Sequence, residues 1–305
     1  MALIRQQAFD GNERMLKGGL HCHTTRSDGL GDPADVIRLH VRNGYDFLAI
    51  TDHRRYNYKN FAPECAITII PGMEFDATFY NDKGFRCFHT VCLGPADETN
   101  GYRQDQRLLS GKASCQEEYQ PYLDKIHAKN NLTIYAHPEW SATPPRLFEK
   151  LEGDIAVEIW NTGCAMVNDM DTDGLYWDEL LGKGKHLWGV ATDDGHEMEQ
   201  HCKGWVMVRS ENNVSAILEA LKEGRFYSST GPEIYDFYVE NGMAHVRCSP
   251  CARIRFHADC HPTRIFRGKD LTEQEFDLRG QYAYIRASVE DAEGRKAWTN
   301  PIFLS

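Results

Sequence analysis

From about residue 17 to 210, short apolar runs alternate with longer amphipathic stretches. The runs GGLHCH, FLAITDH, AITIIPGMEF, CFHTVCLG, LTIYAHP, IAVEIWN and LWGVATDD are apolar through most of their length rather than at every second position. Continuous hydrophobicity is the mark of a strand covered on both faces. Helical stretches separate them. DPADVIRLHVRNG offers Asp32 as N-cap, Pro33 in the first turn and Gly44 as a stop. SCQEEYQPYLDKIHAKNN, TPPRLFEKLEG and DGLYWDELLGKG have helical length, and NNVSAILEALKEG follows the strand-like GWVMVRS. This rhythm belongs to a β/α barrel or a doubly wound sheet. Past FYSSTGP the pattern changes. IYDFYVENGMAHVRC reads as two strands around an Asn241-Gly242 turn, and RIRFH and QYAYIRASVEDAEGRKAWTN as further strands. The chain is therefore expected to hold a barrel domain over 1–230 and a small all-β module over 231–305. Residues 94–111 show no clear period and read as a mobile flap.

With 41% hydrophobic and 26% charged residues in 305, the chain can bury a sizeable core, which excludes long disorder and a small disulfide scaffold. Thirty-four basic against 45 acidic side chains leave a net charge of −11. Such a surface repels polyanions, arguing against long nucleic acid or an anionic membrane as partner. A small phosphate held by a local cluster of cations is compatible with it. No apolar run approaches the ~18 residues of a membrane helix. MALIRQQAFDGNER lacks the pattern of a signal peptide. The ten cysteines lack paired regularity, and Cys65, Cys87 and Cys92 sit in apolar stretches. The expectation is a soluble, cytoplasmic protein with reduced cysteines.

Chemistry-bearing residues recur at one place in the rhythm. His21 and His23 end the first strand and Asp28 follows in the turn; His53, Glu74, His89 and His137 come next, and Asp194 and His196 close the series. Each falls at or just after the expected C-terminal end of a parallel strand, the edge where α/β folds build their sites. In H-x-H and D-x-H, residues i and i+2 share a strand face, so both side chains can reach one ion. Histidine mixed with carboxylate suits zinc, manganese or iron. A lone histidine is more often a packed residue than a ligand, but nine such residues at strand ends outweigh that reading.

The ordered motifs HCHTTRSDG, ITDH, PGMEF, AHP and TDDGH resemble those of the PHP (polymerase and histidinol phosphatase) superfamily of metal-dependent phosphoesterases, over about residues 18–200. The resemblance implies a distorted seven-stranded β/α (TIM-like) barrel with two to three divalent metal ions. It assigns His21, His23, Glu74 and Asp194 to one ion. Glu74, His89 and His137 would hold a second, and Asp28, His53 and His196 a third. VEIWNTG, ILEALKEGRFYSSTGP and GRKAWTNPIFL are similar to the carbaryl-hydrolase-like branch, whose members carry a C-terminal β module.

Such a centre implies a hydrolase in which a metal-bound hydroxide attacks a small phosphomonoester or phosphodiester, with no further catalytic side chain. The alternative is a carbamate or carboxylic ester hydrolase on the same centre. Arg26, Arg54 and Arg55 tip the balance to phosphorus, and one of them can clamp the phosphate. Asn161, just beyond VEIW, either contacts substrate or caps its turn. Asp193 is left beside the ligand Asp194, and His201 reads as an exposed loop residue or a weak candidate for general acid. Cys248-x-x-Cys251, with His257, Cys260 and His261, reads as ordinary reduced cysteines rather than a zinc site.

Overall fold

The computed structural model describes residues 5–81, 84–259, 262–278 and 282–304. Strands β1 (Gln6–Gln7) and β2 (Met15–Gly19) lead into helix α1 (Pro33–Arg42) and the short β3 (Phe47–Leu48) and β4 (Thr68–Ile69). The long pair β5 (Gly72–Asn81) and β6 (Gly84–Leu93) precedes α2 (Gln116–His127), β7 (Leu132–Tyr135) and β8 (Asp154–Asn161). Helices α3 (Thr162–Asn168) and α4 (Asp173–Gly182) lead to β9 (Trp188–Thr192), β10 (Trp205–Arg209), α5 (Val214–Glu223) and β11 (Phe226–Ser229). The remainder is β12 (Ile234–Glu240), β13 (Met243–His257), β14 (Pro262–Asp277), β15 (Tyr284–Glu290), β16 (Lys296–Thr299) and β17 (Ile302–Phe303).

The helices begin where their caps stand. The Asp32 carboxylate accepts the Ala34 N–H ahead of α1, with Pro33 first in the helix. Asn213 caps α5 in the same way, and Gly224, in the left-handed region, ends it. TPPRLFEKLEG makes only a single 3₁₀ turn at Pro145–Leu147. The prolines that open it and the left-handed Gly153 that closes it leave little room for more.

The fold is mixed α/β, but its backbone pairing does not close into the expected TIM-like barrel. β2, β3 and β4 are parallel neighbours, as are β7, β8 and β9. Between these sets, β5 pairs antiparallel with β6, and β6 antiparallel with β7. The strands thus fall into a five-stranded sheet, β5-β6-β7-β8-β9, and a twelve-stranded sheet holding the rest. Isolated bridges His53–Glu74 and Asn57–Gly72 join them on one side. On the other, β9 lies beside β10 and β11 without a ladder. Side chains take its place there: Ser228 Oγ donates to Gly189 O at 2.8 Å and accepts the Ala191 N–H at 3.0 Å.

The twelve-stranded sheet runs on through β11 and β16 into β15, β13 and β12, with β1 paired to β12 at its edge. Phe9 packs in the apolar cluster of that region, beside Ile254, Phe256 and Val289. Residues 94–111, expected as a flap, are pinned by the buried Tyr102 and by bridges from Arg107 to Arg55 and from Gly111 to Ala77. The nine described cysteines are free. Cys248 and Cys251 lie buried on β13 with their sulfurs 3.8 Å apart, while Cys260 and His261 lie outside the described residues. Among the described residues, no helix is long and apolar enough to cross a membrane.

Candidate metal centre

Backbone pairing assembles the site. Beyond β2 the chain stays extended, and Cys22 bridges in parallel to Gly195. The Asp194 N–H donates to His21 O and the His23 N–H to Gly195 O, both at 3.0 Å, so the H-x-H and D-x-H segments lie side by side. The bridge between His53 and Glu74 brings in the next pair, and His137 stands two residues beyond the end of β7. Two residues depart from the sequence reading of parallel strand ends. Glu74 stands near the start of β5 and His89 inside β6, in an antiparallel hairpin whose neighbouring faces still point both side chains inward.

All nine sequence-predicted residues converge around one carboxylate. Glu74 is 1% exposed and presents its two oxygens to different imidazoles. Oε1 lies 2.7 Å from His89 Nδ1 and 3.2 Å from His137 Nε2. Oε2 lies 3.5 Å from His21 Nε2, 3.3 Å from His23 Nε2 and 3.1 Å from His53 Nδ1. Asp194 Oδ1 sits 3.2 and 3.0 Å from His21 and His23 Nε2. Asp28 Oδ2 lies 3.4 Å from His53 and 3.5 Å from His196. By proximity the potential ligand atoms fall into His21–His23–Glu74–Asp194, His53–Glu74–His89 and His23–Asp28–His53–His196. His53 and His23 are shared between neighbouring groups, and His137 stands against Glu74 Oε1 at the edge of the second.

The donor set fits cations. His21 Nδ1–H donates to Glu158 Oε1 at 2.7 Å, which leaves its Nε2 a bare lone pair only 3.2 Å from His23 Nε2. His53 Nδ1 and Asp194 Oδ1 are buried without a hydrogen-bond partner. Bare imidazole nitrogens and carboxylate oxygens aimed at common points need positive charge between them. The electrostatics of the cluster express the same need. Burial lowers the His23 imidazole, but hydrogen bonds to Asp194 and Glu74 outweigh it and raise it to about 9. Burial likewise works against the charged forms of His21 and His89, yet both are held above the ordinary histidine range, His21 by Asp194, Glu158 and Glu74 and His89 by Glu74. Burial would raise Glu74, Asp194 and Asp28, but the surrounding imidazoles hold all three below the usual carboxylate range.

Sequence reasoning missed the carboxylate that braces this arrangement. Glu158 is fully buried on β8, and besides His21 it accepts the Thr192 hydroxyl at 2.7 Å. Its other oxygen accepts the His137 N–H and the Asn161 amide, both at 2.9 Å. A charged residue in the apolar run IAVEIWN was the available signal. Four donors converge on Glu158, so Glu158→Gln turns an acceptor into a donor facing donors. Its metal affinity is expected to fall about 10–100-fold with the fold retained, as read by competition with a chromogenic chelator.

Asn161 spends its amide within the protein. Nδ2 donates to Glu158 and to Asp194 Oδ2 at 3.1 Å, and Oδ1 caps α3 by accepting the Cys164 N–H. The Asp193 carboxylate accepts the N–H groups of Cys202, Lys203 and Gly204. His201 is neither exposed nor at the mouth. It is 2% exposed and packs against Gly195, where a Cβ would stand 2.5 Å from its Nδ1. Glycine at the centre of D-G-H lets it in. His257 joins a buried pair of Asp178 and Arg286.

Two cavities open on the centre. One of about 360 Å³ is lined by Glu74, His89, His137, Trp140 and His196. The other, of about 310 Å³, is lined by Asp28 and His53 together with Arg26, Arg54, Arg55 and Arg107. Arg54 pairs with Asp76; Arg26 and Arg55 share Asp105, the latter at 3.0 Å.

Residues 19–151 match the family model of the PHP domain. The match spans just under half of the chain. The matched span includes His21 through His137 of the site; Asp194 and His196 lie beyond it. A 41-residue stretch is 42% identical to the DNA polymerase/3'-5' exonuclease PolX of Bacillus subtilis (strain 168), covering 13% of this chain and 7% of that protein. Over 98% of this chain and 100% of the other, the fold is similar, at 16% identity and a TM-score of 0.50, to a two-domain protein from Bacteroides vulgatus described as containing a predicted PHP-like metal-dependent phosphoesterase. An amidohydrolase from Chromobacterium violaceum, solved with sulfate and no metal, aligns over 59% of this chain and 88% of its own, at 16% identity and a TM-score of 0.42. Together the PHP match and the whole-chain likeness account for the mixed α/β fold around the site.

Proposed function

We propose that the chain is a metal-dependent hydrolase, a phosphoesterase acting on a small phosphomonoester or phosphodiester with two to three zinc, manganese or iron ions. The observation that carries this reading is the Glu74 carboxylate, with Oε1 turned to His89 and His137 and Oε2 to His21, His23 and His53. That division suits a carboxylate bridging two cations. Its ligand groups would be His21–His23–Glu74–Asp194, Glu74–His89–His137, and Asp28–His53–His196. When bound, the ions supply Lewis acidity and acidify the attacking water.

The chain's own residues do the remaining work. Glu158 fixes the tautomer of His21, and Asn161 fixes Asp194. Trp140 packs on His137 and His89 at the cavity wall, 5.1 and 5.8 Å between ring centroids. Arg26, Arg54 and Arg55 bring cations to a cavity that also touches Asp28 and His53, which favours phosphorus over a neutral carbamate or carboxylic ester. Residues 231–305, read as an appended β module, and the carbaryl-hydrolase-like branch complete the proposal.

The test is turnover of phosphomonoesters, phosphodiesters and a naphthyl carbamate by the metal-loaded protein. Phosphoester turnover is expected; carbamate turnover alone would overturn the reading. Arg54→Ala should raise KM for a phosphoester about tenfold or more with the fold intact, the loss of one charge-assisted contact. An unchanged KM would return Arg54 to its pairing with Asp76.

A further inference from the structure

Among the described residues, one more set of ligand-type atoms meets outside the Glu74 cluster. His40 on α1, Asp193 just after β9 and His201 just before β10 are 1%, 2% and 2% exposed, and a coordinating atom from each lies within 4.8 Å of the others. None of the three belongs to the ligand groups proposed above. His40 Nδ1–H donates to Val36 O at 2.8 Å, so its Nε2 carries a lone pair. His201 is the anomaly: neither of its ring nitrogens has a hydrogen-bond partner, although the ring is enclosed. Buried polar atoms are almost always paired, so an imidazole orphaned at both nitrogens calls for an absent group.

We propose that His40, Asp193 and His201 form a separate, buried divalent-cation site that pins α1 to the turn carrying Asp194 and His196. Two imidazoles and one carboxylate are a donor set suited to zinc or a neighbouring first-row ion. The His40 and His201 rings stand edge to face, 5.4 Å apart. Asp193 is held in place by three backbone N–H groups, at 2.6 Å on Oδ2 and at 2.9 and 2.7 Å on Oδ1, so the less crowded Oδ2 is the oxygen it would offer an ion. Burial lowers both imidazoles, His40 to about 4 and His201 to about 3, so each is neutral and able to ligate at neutral pH. Lys17, the cation that acts on His40, keeps its ammonium on the Trp205 ring at 3.9 Å and donates to Asn43 O at 3.2 Å.

The inference does not depend on the reaction that the chain performs. It is tested on the full chain with the main cluster disabled by His23→Ala, His53→Ala and Glu74→Gln, substitutions that touch all three ligand groups. After zinc loading and desalting, elemental analysis is expected to find about one ion per chain, lost on adding either His201→Gln or His40→Gln. If the disabled chain keeps its circular dichroism but holds no ion, the proposal is overturned. It is also overturned if the ion persists in both added variants, since it then belongs to the main cluster. Should the triple variant not fold, the count in the otherwise unaltered chain decides. His201→Gln must then bind one ion fewer than the parent, and an equal count sinks the site.

Discussion

Replacing Glu74 by glutamine should strip about two ions from the chain and lower turnover by about 10²–10⁴-fold, the span of the several kcal/mol that such ions contribute to a transition state. The reason is geometric. One buried side chain presents separate oxygens to His89 and His137 on one side and to His21, His23 and His53 on the other. Glutamine keeps the shape but replaces one oxygen by an N–H₂ donor and removes the negative charge, so at least one group of imidazoles loses its shared anion. The fold should survive, because volume is conserved and the backbone bridge from His53 to Glu74 does not involve the side chain. Elemental analysis and a phosphoester assay on the same preparation check both halves. Full metal content in the variant would mean that Glu74 is not the bridge. The contrast with Glu158→Gln matters, since that residue touches His21 and His137 without belonging to any of the ligand groups and should only weaken affinity.

Eight of the nine converging residues were legible because each sits in a short motif whose spacing carries geometry; the ninth, His89, showed only as a histidine inside the apolar run CFHTVCLG. H-x-H and D-x-H put two side chains on one strand face, and TDH and AHP follow apolar runs. Glu158 was harder to see because its strand is apolar on either side, and nothing local distinguishes a bracing carboxylate from an outward one. Which runs pair in parallel was also hidden. β5 and β6 are covered on the site side and read as two buried strands of a barrel, yet they form one antiparallel hairpin. Periodicity reports burial, and burial is the same for a parallel strand and for a hairpin whose face is covered. β14 escaped altogether: PTRIFRGKDLTEQEFD is polar and half-exposed, and it is held chiefly by pairing along β13. His201 failed for the opposite reason. In HEMEQHCKG it has the look of a loop histidine, and only the missing Cβ of Gly195 makes room for it indoors.

Arg286→Ala should destabilise the chain by about 3–5 kcal/mol, the cost of stranding a buried charge. Arg286 on β15 is 2% exposed, and it holds Asp178 on α4 through Nε at 2.8 Å and through a terminal nitrogen at 2.6 Å. Tyr284 donates to the same carboxylate at 3.2 Å, and the guanidinium lies over Trp177 at 4.5 Å. The pair therefore ties a helix of the half that carries the candidate metal centre to the final strands. Unfolding by urea should show a lower midpoint, and Asp178→Leu combined with Arg286→Met should recover much of the loss, because no charge is then left unpaired. Acid should weaken the same junction. Burial would raise the Asp178 carboxyl, but Arg286 and His257 hold it below the usual range, so its stabilisation is present above about pH 4 and is lost as pH falls through the folded value. Burial and Arg286 push His257 down to about 4, so the unfolded chain takes up that proton first and stability already declines between about pH 6.5 and 4. Both groups act in one direction. An Arg286→Ala midpoint equal to the parent's, or a loss of stability from pH 7 to 4 that is the same in the parent and in the Asp178→Leu, Arg286→Met variant, would show that the junction is not held by this pair.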